Sequence, residues 1–238
     1  SFNKDLYPTI EKNTSSVNNG SAVYNNKASF TYKPEGKTDR TSPVESTHSY
    51  DVNYVTHNQG DKTSTQYSLQ DREITWEILA NHQGRTINGS ELVVTDKFSE
   101  GQVLDEDSLQ VIQYEVKPDG TRTDVKTLNK GTDYTFAKDT DELGFTVKIG
   151  TANKDMPHRI QYKTNIVGLS KQKYTNTATI EGLPYSAEVN NNYYNKFLSK
   201  TTVDGSITNA YQDDEILWKV VLNESLSEVK NAKYVDKI

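Results

Sequence analysis

Residues 174–182 read YTNTATIEG, and they alternate strictly. Tyr174, Asn176, Ala178 and Ile180 share one parity; Thr175, Thr177, Thr179 and Glu181 share the other. A period of two marks an extended strand with one face on a core and the other in water. The odd set is polar throughout, so the even set is the buried one. That puts the Asn176 amide among apolar neighbours, where leaving it unpaired costs roughly 1–3 kcal/mol. Something inside the fold must engage it.

SELVVTDKF, earlier in the chain, poses the same problem with a charge. Leu92, Val94, Asp96 and Phe98 fall on one face of an expected strand, which sets a carboxylate where a core should be. Asp96 alone reads rather as a satisfied buried hydrogen bond or a strand end turning into solvent, because SEGQ follows. Paired with Asn176 it suggests that two inward polar groups meet.

Repeats strengthen the pairing. DREITWEI at 71–78 matches DDEILWKV at 213–220, which sets Trp76 and Trp218 142 positions apart (218 − 76). ELVVTDKF at 91–98 matches NAKYVDKI at 231–238, so Asp236 echoes Asp96. YNNKASF at 24–30 matches YTNTATI at 174–180, so Asn26 echoes Asn176. Repeats of this length are whole domains. The register divides the chain into the last strands of an upstream domain (1–30), a linker (31–47), a complete domain (48–182), a second linker (183–192) and the opening of a downstream domain (193–238). Ser1 is not an initiator residue, so a processed form or a piece of a longer chain is expected.

Within 48–182 the alternating segments are short and separated by turn residues, as in KPDG and NKG. VNYV, QYSL, EITWEIL, LVVTDKF, SLQVIQYEV, TDYTF, LGFTVKI, IQYKTNI and YTNTATI read as strands, and SEGQVLDEDS as a place for one helical turn. Ile74, Trp76, Ile78, Phe145, Val147, Tyr162, Ala178 and Ile180 are the expected core. This is the pattern of an all-β, two-sheet sandwich. A mean hydropathy of −0.81 with fifteen tyrosines fits thin sandwiches rather than a disordered chain, which would be poor in aromatics.

A net charge of −6 without basic runs argues against nucleic acid or an anionic membrane as partner. The chain has no cysteine, which excludes disulfides, a thiol nucleophile and cysteine zinc sites. His48, His57, His82 and His158 stand in polar contexts without metal-ligand spacing. The acidic clusters at 105–108 and 139–142 lack a calcium-loop pattern and read as charged turns. No nucleophile elbow, phosphate loop or dinucleotide motif is present. No cofactor, metal or turnover active site is expected.

The tryptophan strand ITWEI, the strand VTDKF, then QYKTNI and YTNTATIEG together resemble the repeat domains of Gram-positive cell-wall-anchored adhesins of the collagen-adhesin type. The resemblance implies immunoglobulin-like sandwiches in tandem, each closed by a spontaneous Lys–Asn isopeptide bond with an acidic residue as catalyst. On this sequence the acid is Asp96 and the asparagine Asn176, with Asp236 and Asn26 as their echoes in the flanking domains. The chemistry suits those residues. Burial lowers a lysine's pKa and frees the amine to attack, while a buried carboxylic acid can polarise the amide.

The lysine has two readings. Lys62 precedes Trp76 at about the family's position, and Lys200 precedes Trp218. Aligned on the tryptophans, however, Asn58 stands opposite Lys200. Either the middle domain uses Lys62 after a slip in register, or Lys62 is a solvated loop lysine and the bond is absent. The expected function is that of a stalk segment in an extracellular, cell-wall-anchored adhesin or fibre, whose partners are neighbouring repeats of its own chain. The alternative is a module that binds a host matrix protein or a glycan. For that role Tyr185, Tyr193 and Tyr194 offer an aromatic contact surface.

Overall fold

The computed structural model describes residues 17–18, 21–32, 35–36, 38, 42–52, 60–117, 121–203 and 216–237. Among them every regular element is a strand. β1 (Val17–Asn18), β2 (Ser21–Phe30) and β3 (Val44–Val52) form an antiparallel sheet in that order. The middle unit comprises β4 (Gly60–Ser68), β5 (Glu73–Ala80), β6 (Glu91–Phe98), β7 (Gln102–Val116), β8 (Arg122–Thr127), β9 (Tyr134–Lys138), β10 (Gly144–Gly150), β11 (His158–Ile166), β12 (Lys173–Ile180) and β13 (Leu183–Asn190). β14 (Leu198–Thr202) and β15 (Trp218–Leu222) make a separate hairpin.

The middle unit is an immunoglobulin-like sandwich of two five-stranded antiparallel sheets, ordered β4-β5-β11-β7-β8 and β13-β12-β6-β10-β9. Period-two alternation aims Ile74, Trp76 and Ile78 of β5 and Ile160 and Tyr162 of β11 into the interior. Leu92 and Val94 of β6, Phe145, Val147 and Ile149 of β10, and Ala178 and Ile180 of β12 face inward from the other sheet. All of these are fully buried. Each large one contributes about 1.5–3 kcal/mol by leaving water. Phe145 and Tyr162 meet edge to face across the layers, with ring centroids 4.9 Å apart. The indole N–H of Trp76 donates to Thr164 Oγ1 at 2.9 Å, and that hydroxyl donates to Gln102 Oε1 at 2.8 Å. These three buried polar groups are thus paired with one another.

Several expectations are corrected. Residues 183–190, assigned to the second linker, form β13 and pair with β12 along its whole length. Pro184 and the polar composition suit this strand because it is an edge, where a missing N–H is tolerated. Residues 44–52 pair with β2, so Val44–Thr47 are strand rather than linker, and 48–52 belong to the first sheet. Most of VNYV lies outside the described residues. SEGQVLDEDS holds no helical turn: from Gln102 it is β7, which leaves its ladder opposite Tyr162. Gln161 pairs with Gln110 and Lys163 with Asp105, so residues 106–109 loop out. Ser108 repairs the gap, its hydroxyl accepting from the Lys163 N–H at 2.8 Å and donating to the Asp105 carbonyl at 2.6 Å.

His82 and His158 are buried, contrary to the polar setting expected of them. His82 Nδ1 bonds the Tyr114 hydroxyl, and burial pushes both imidazoles down to about 4. The acidic turns serve ion pairs. Asp139 and Asp141 both engage Lys97, and Glu106 engages Lys138.

The segment after β15 docks on the middle unit. Arg72 donates to the carbonyls of Ile166 at 3.0 Å, Gly168 at 2.9 Å and Leu226. Ser170 Oγ donates to the Ser225 carbonyl at 2.8 Å, and the Glu228 N–H donates to the Gly168 carbonyl at 2.9 Å.

Candidate crosslink site

Four strands converge on one polar cluster in the apolar interior. β4 begins with Gly60 and Lys62 facing inward, so alternation turns the Lys62 side chain into the core. Gly60 is required there: a Cβ would stand 2.6 Å from Ile180 Cδ1 and 3.0 Å from the Tyr185 ring. β6 contributes Asp96 and β12 contributes Asn176. In their shared register Ala178 lies opposite Asp96 and Asn176 opposite Phe98, so the carboxylate and the amide are diagonal neighbours on one inner face. β11 contributes Tyr162 from the opposite sheet.

Lys62 Nζ lies 3.0 Å from Asp96 Oδ1 and 2.6 Å from the Tyr162 hydroxyl oxygen, and neither the lysine nor the aspartate side chain is exposed. The ammonium also lies over the rings of Tyr162, at 4.7 Å from the centroid, and Trp76, at 5.3 Å. The Tyr162 hydroxyl donates to Asp96 Oδ2 and accepts from Asn176 Nδ2 at 2.7 Å. Asn176 Oδ1 is buried and has no hydrogen-bond partner among the described residues.

Burial governs the charges. It pulls Lys62 down from 10.5 to about 8, against the opposing pull of the Asp96 charge. It pushes Asp96 up, with Lys62, Tyr162 and Asn176 working the other way. The Tyr162 phenol is held well above its usual range, so it stays protonated. The cluster therefore holds an amine close to neutrality, a carboxyl able to take its proton, and an amide whose carbonyl is uncommitted.

In placement, Lys62 is a core side chain on β4 rather than a solvated loop lysine. Lys62 pairs with Ile78, two residues past Trp76, and Lys200 pairs with Val220, two residues past Trp218. The spans differ, sixteen positions (78 − 62) against twenty (220 − 200). The slip seen on aligning the tryptophans thus resides in hairpin length. Lys200 Nζ lies 2.6 Å from Asp236 Oδ1 and 4.7 Å from the Trp218 ring centroid, with both side chains about a third exposed. The hydrogen bond from Lys200 holds the Asp236 carboxyl below its ordinary range. Asn26 lies on β2 opposite His48; its side chain falls outside the described residues. Of the three tyrosines proposed as a contact surface, Tyr185 packs against the core, while Tyr193 and Tyr194 are exposed.

Tyr162 is the member that sequence reasoning took only as core. Its signal was present in IQYKTNI, where an inward phenol carries a hydroxyl that must find a partner.

The collagen binding domain family profile matches residues 66–191. Among solved structures, the chain is similar to the collagen-binding domain of a Staphylococcus aureus adhesin, at 16% identity over 56% of this chain and 98% of that one, with a TM-score of 0.43. It is similar also to the collagen binding subdomain of the Enterococcus faecalis surface protein ACE (14% identity, 57% and 98% covered, TM-score 0.43). A third is the collagen binding domain of the Erysipelothrix rhusiopathiae surface protein RspB (18%, 84% and 56%, TM-score 0.43). A comparison with curated proteins gives no match. The family profile spans more than half of the chain, from within β4 to the end of β13, and so includes Asp96, Tyr162 and Asn176: the protein belongs to the collagen binding domain family.

Proposed function

We propose that this chain is a structural segment of an extracellular, cell-wall-anchored adhesin of a Gram-positive bacterium, and that its middle sandwich is closed by an isopeptide bond between Lys62 and Asn176. The observation that carries the reading is the burial of Lys62, Asp96 and Asn176 around one hydroxyl, between two sheets. Asp96 takes a proton from the Lys62 ammonium. The neutral amine attacks the Asn176 side-chain carbonyl carbon, and ammonia leaves. The reaction occurs once per molecule, so Asp96 acts catalytically without making the protein an enzyme.

The bond would join β4 of one sheet to β12 of the other and close a loop of more than a hundred residues. By analogy with a disulfide of that span, the tie restricts the unfolded chain and contributes about 4–5 kcal/mol. A stalk under tension and exposed to proteases needs such a tie, and a chain without cysteine cannot make it from sulfur. The matching placement of Lys200, Asp236 and Trp218 supports a tandem array in which Lys200 and Asp236 have the same roles. Tryptic digestion tests the reading: a branched peptide should join the Lys62 and Asn176 segments.

Family membership also favours a second reading, in which the module grips a host matrix protein such as collagen. Surface plasmon resonance over immobilised triple-helical collagen distinguishes the two. Saturable binding would add adhesion to the structural role, and a flat response would leave the stalk.

A further inference from the structure

The phenol oxygen of Tyr162 touches every reacting group of the cluster. It accepts from Lys62 Nζ at 2.6 Å and from Asn176 Nδ2 at 2.7 Å, and it donates its one proton to Asp96 Oδ2. A hydroxyl offers one donor and two acceptor sites. All three are occupied here, and the fully buried ring packs edge to face with Phe145. Two of the occupants are the nitrogen that must lose protons and the nitrogen that must gain one.

We propose that Tyr162 is the proton carrier of the crosslinking reaction, passing the proton shed by Lys62 Nζ to the departing Nδ2 of Asn176. This rests on the isopeptide reading above. Lys62 begins as an ammonium and Asp96 as a carboxylate, and one proton passes directly between them across the 3.0 Å contact. The amine lone pair forms the Nζ–Cγ bond, and the carbonyl π pair moves onto Oδ1. Nζ now carries two protons and a positive charge. It gives one to the Tyr162 oxygen as the phenol proton turns from Asp96 Oδ2 to the Nδ2 lone pair, which the tetrahedral adduct has freed from the amide. The Cγ–Nδ2 pair leaves with nitrogen, the carbonyl re-forms, and three hydrogens depart in ammonia. One hydrogen remains on the new amide, one on Asp96, and the phenol is restored.

Asp96 alone accounts less well for the last transfer. Asn176 reaches the carboxyl too, but Oδ1 faces the lysine and Oδ2 takes the phenol proton. The phenol oxygen, by contrast, is hydrogen-bonded to both nitrogens, at 2.6 and 2.7 Å. A buried phenol held well above its usual range makes a neutral carrier rather than a phenolate, as the exchange requires.

The test follows the newly synthesised 238-residue chain by intact mass, with aliquots quenched in acid over time. Tyr162→Phe keeps the ring and removes the oxygen. It should slow the loss of ammonia by about 10²–10⁴-fold, the usual range for a positioned acid–base group, while circular dichroism stays that of the wild type. An unchanged rate would overturn the proposal and leave the crosslink itself standing. Wild-type chain that never loses ammonia would instead overturn the crosslink reading. Should Tyr162→Phe fail to fold, 3,5-difluorotyrosine at position 162 retains the shape and makes the phenol more acidic. A severalfold change in rate then supports the carrier role, and an unaltered rate rejects it.

Discussion

Lys62 and Lys200 occupy equivalent places in two hairpins. Each pairs with the residue two positions past a tryptophan, lies over that tryptophan's ring, and reaches an aspartate, Asp96 for one and Asp236 for the other. The difference is enclosure. Lys62 has two sheets around it and is fully buried, whereas Lys200 remains about a third exposed on its two-stranded sheet. The chemistry proposed for the middle sandwich depends on that enclosure, because burial brings the amine towards neutrality.

Removing Asp96 should cost more than removing Asn176. Both Asp96→Ala and Asn176→Ala block the crosslink, but only the first strands the Lys62 charge in the core. Breaking a buried pair by deleting one partner typically costs about 3–5 kcal/mol. Urea denaturation should find Asp96→Ala less stable than Asn176→Ala by that margin. Equal stabilities would mean that Lys62 escapes to solvent when unpaired.

The uncrosslinked protein should gain stability in mild alkali. In Asn176→Ala, Lys62 retains its buried setting, with a folded pKa near 8 against 10.5 when unfolded. Between those values the unfolded chain binds the proton that the native state has released, so stability rises with pH. The gain is up to about 3 kcal/mol across the window. It should vanish in the double variant Asn176→Ala with Lys62→Met, measured by urea denaturation at pH 8 and pH 10. A gain of equal size in both would assign it to other groups.

Gly144 should tolerate no side chain. It stands where β10 meets β6, and a Cβ there would lie 2.2 Å from the Asp96 carbonyl oxygen. Backbone cannot yield cheaply at that distance. Gly144→Ala should therefore destabilise the sandwich by about 1–3 kcal/mol and slow crosslinking by displacing Asp96. Thermal denaturation together with intact mass reads both effects.

Arg72→Ala should loosen the downstream segment without disturbing the core. The guanidinium ties the carbonyls of Ile166 and Gly168 to that of Leu226. Amide hydrogen exchange should accelerate at Ser225–Glu228 and stay unchanged in β5 and β11. Uniform acceleration would point to global destabilisation instead.

The inward set of β12 and the Asp96 face of β6 were legible in the sequence because period two alone decides which side chains share a face. The core followed for the same reason: Ile74, Trp76, Phe145 and Ala178 are all fully buried. Lys62 was obscured because its identity depends on cross-strand register, and register reflects hairpin length as well as motif spacing. β13 was obscured because an edge strand tolerates proline and polar residues, which in one dimension are linker signals. β8 has every residue exposed and therefore no alternation to read. Tyr162 was placed correctly in the core, but its hydroxyl acquires meaning only when three partners from three other strands surround it.

The central claim is covalent, and intact mass spectrometry of the 238-residue chain under denaturing conditions tests it most directly. The account predicts a mass short of the sequence mass by one ammonia, restored to the plain value in Lys62→Ala and in Asn176→Ala. Wild-type protein at the plain sequence mass would contradict it, and would leave Lys62, Asp96, Tyr162 and Asn176 as a buried hydrogen-bonded cluster without a bond.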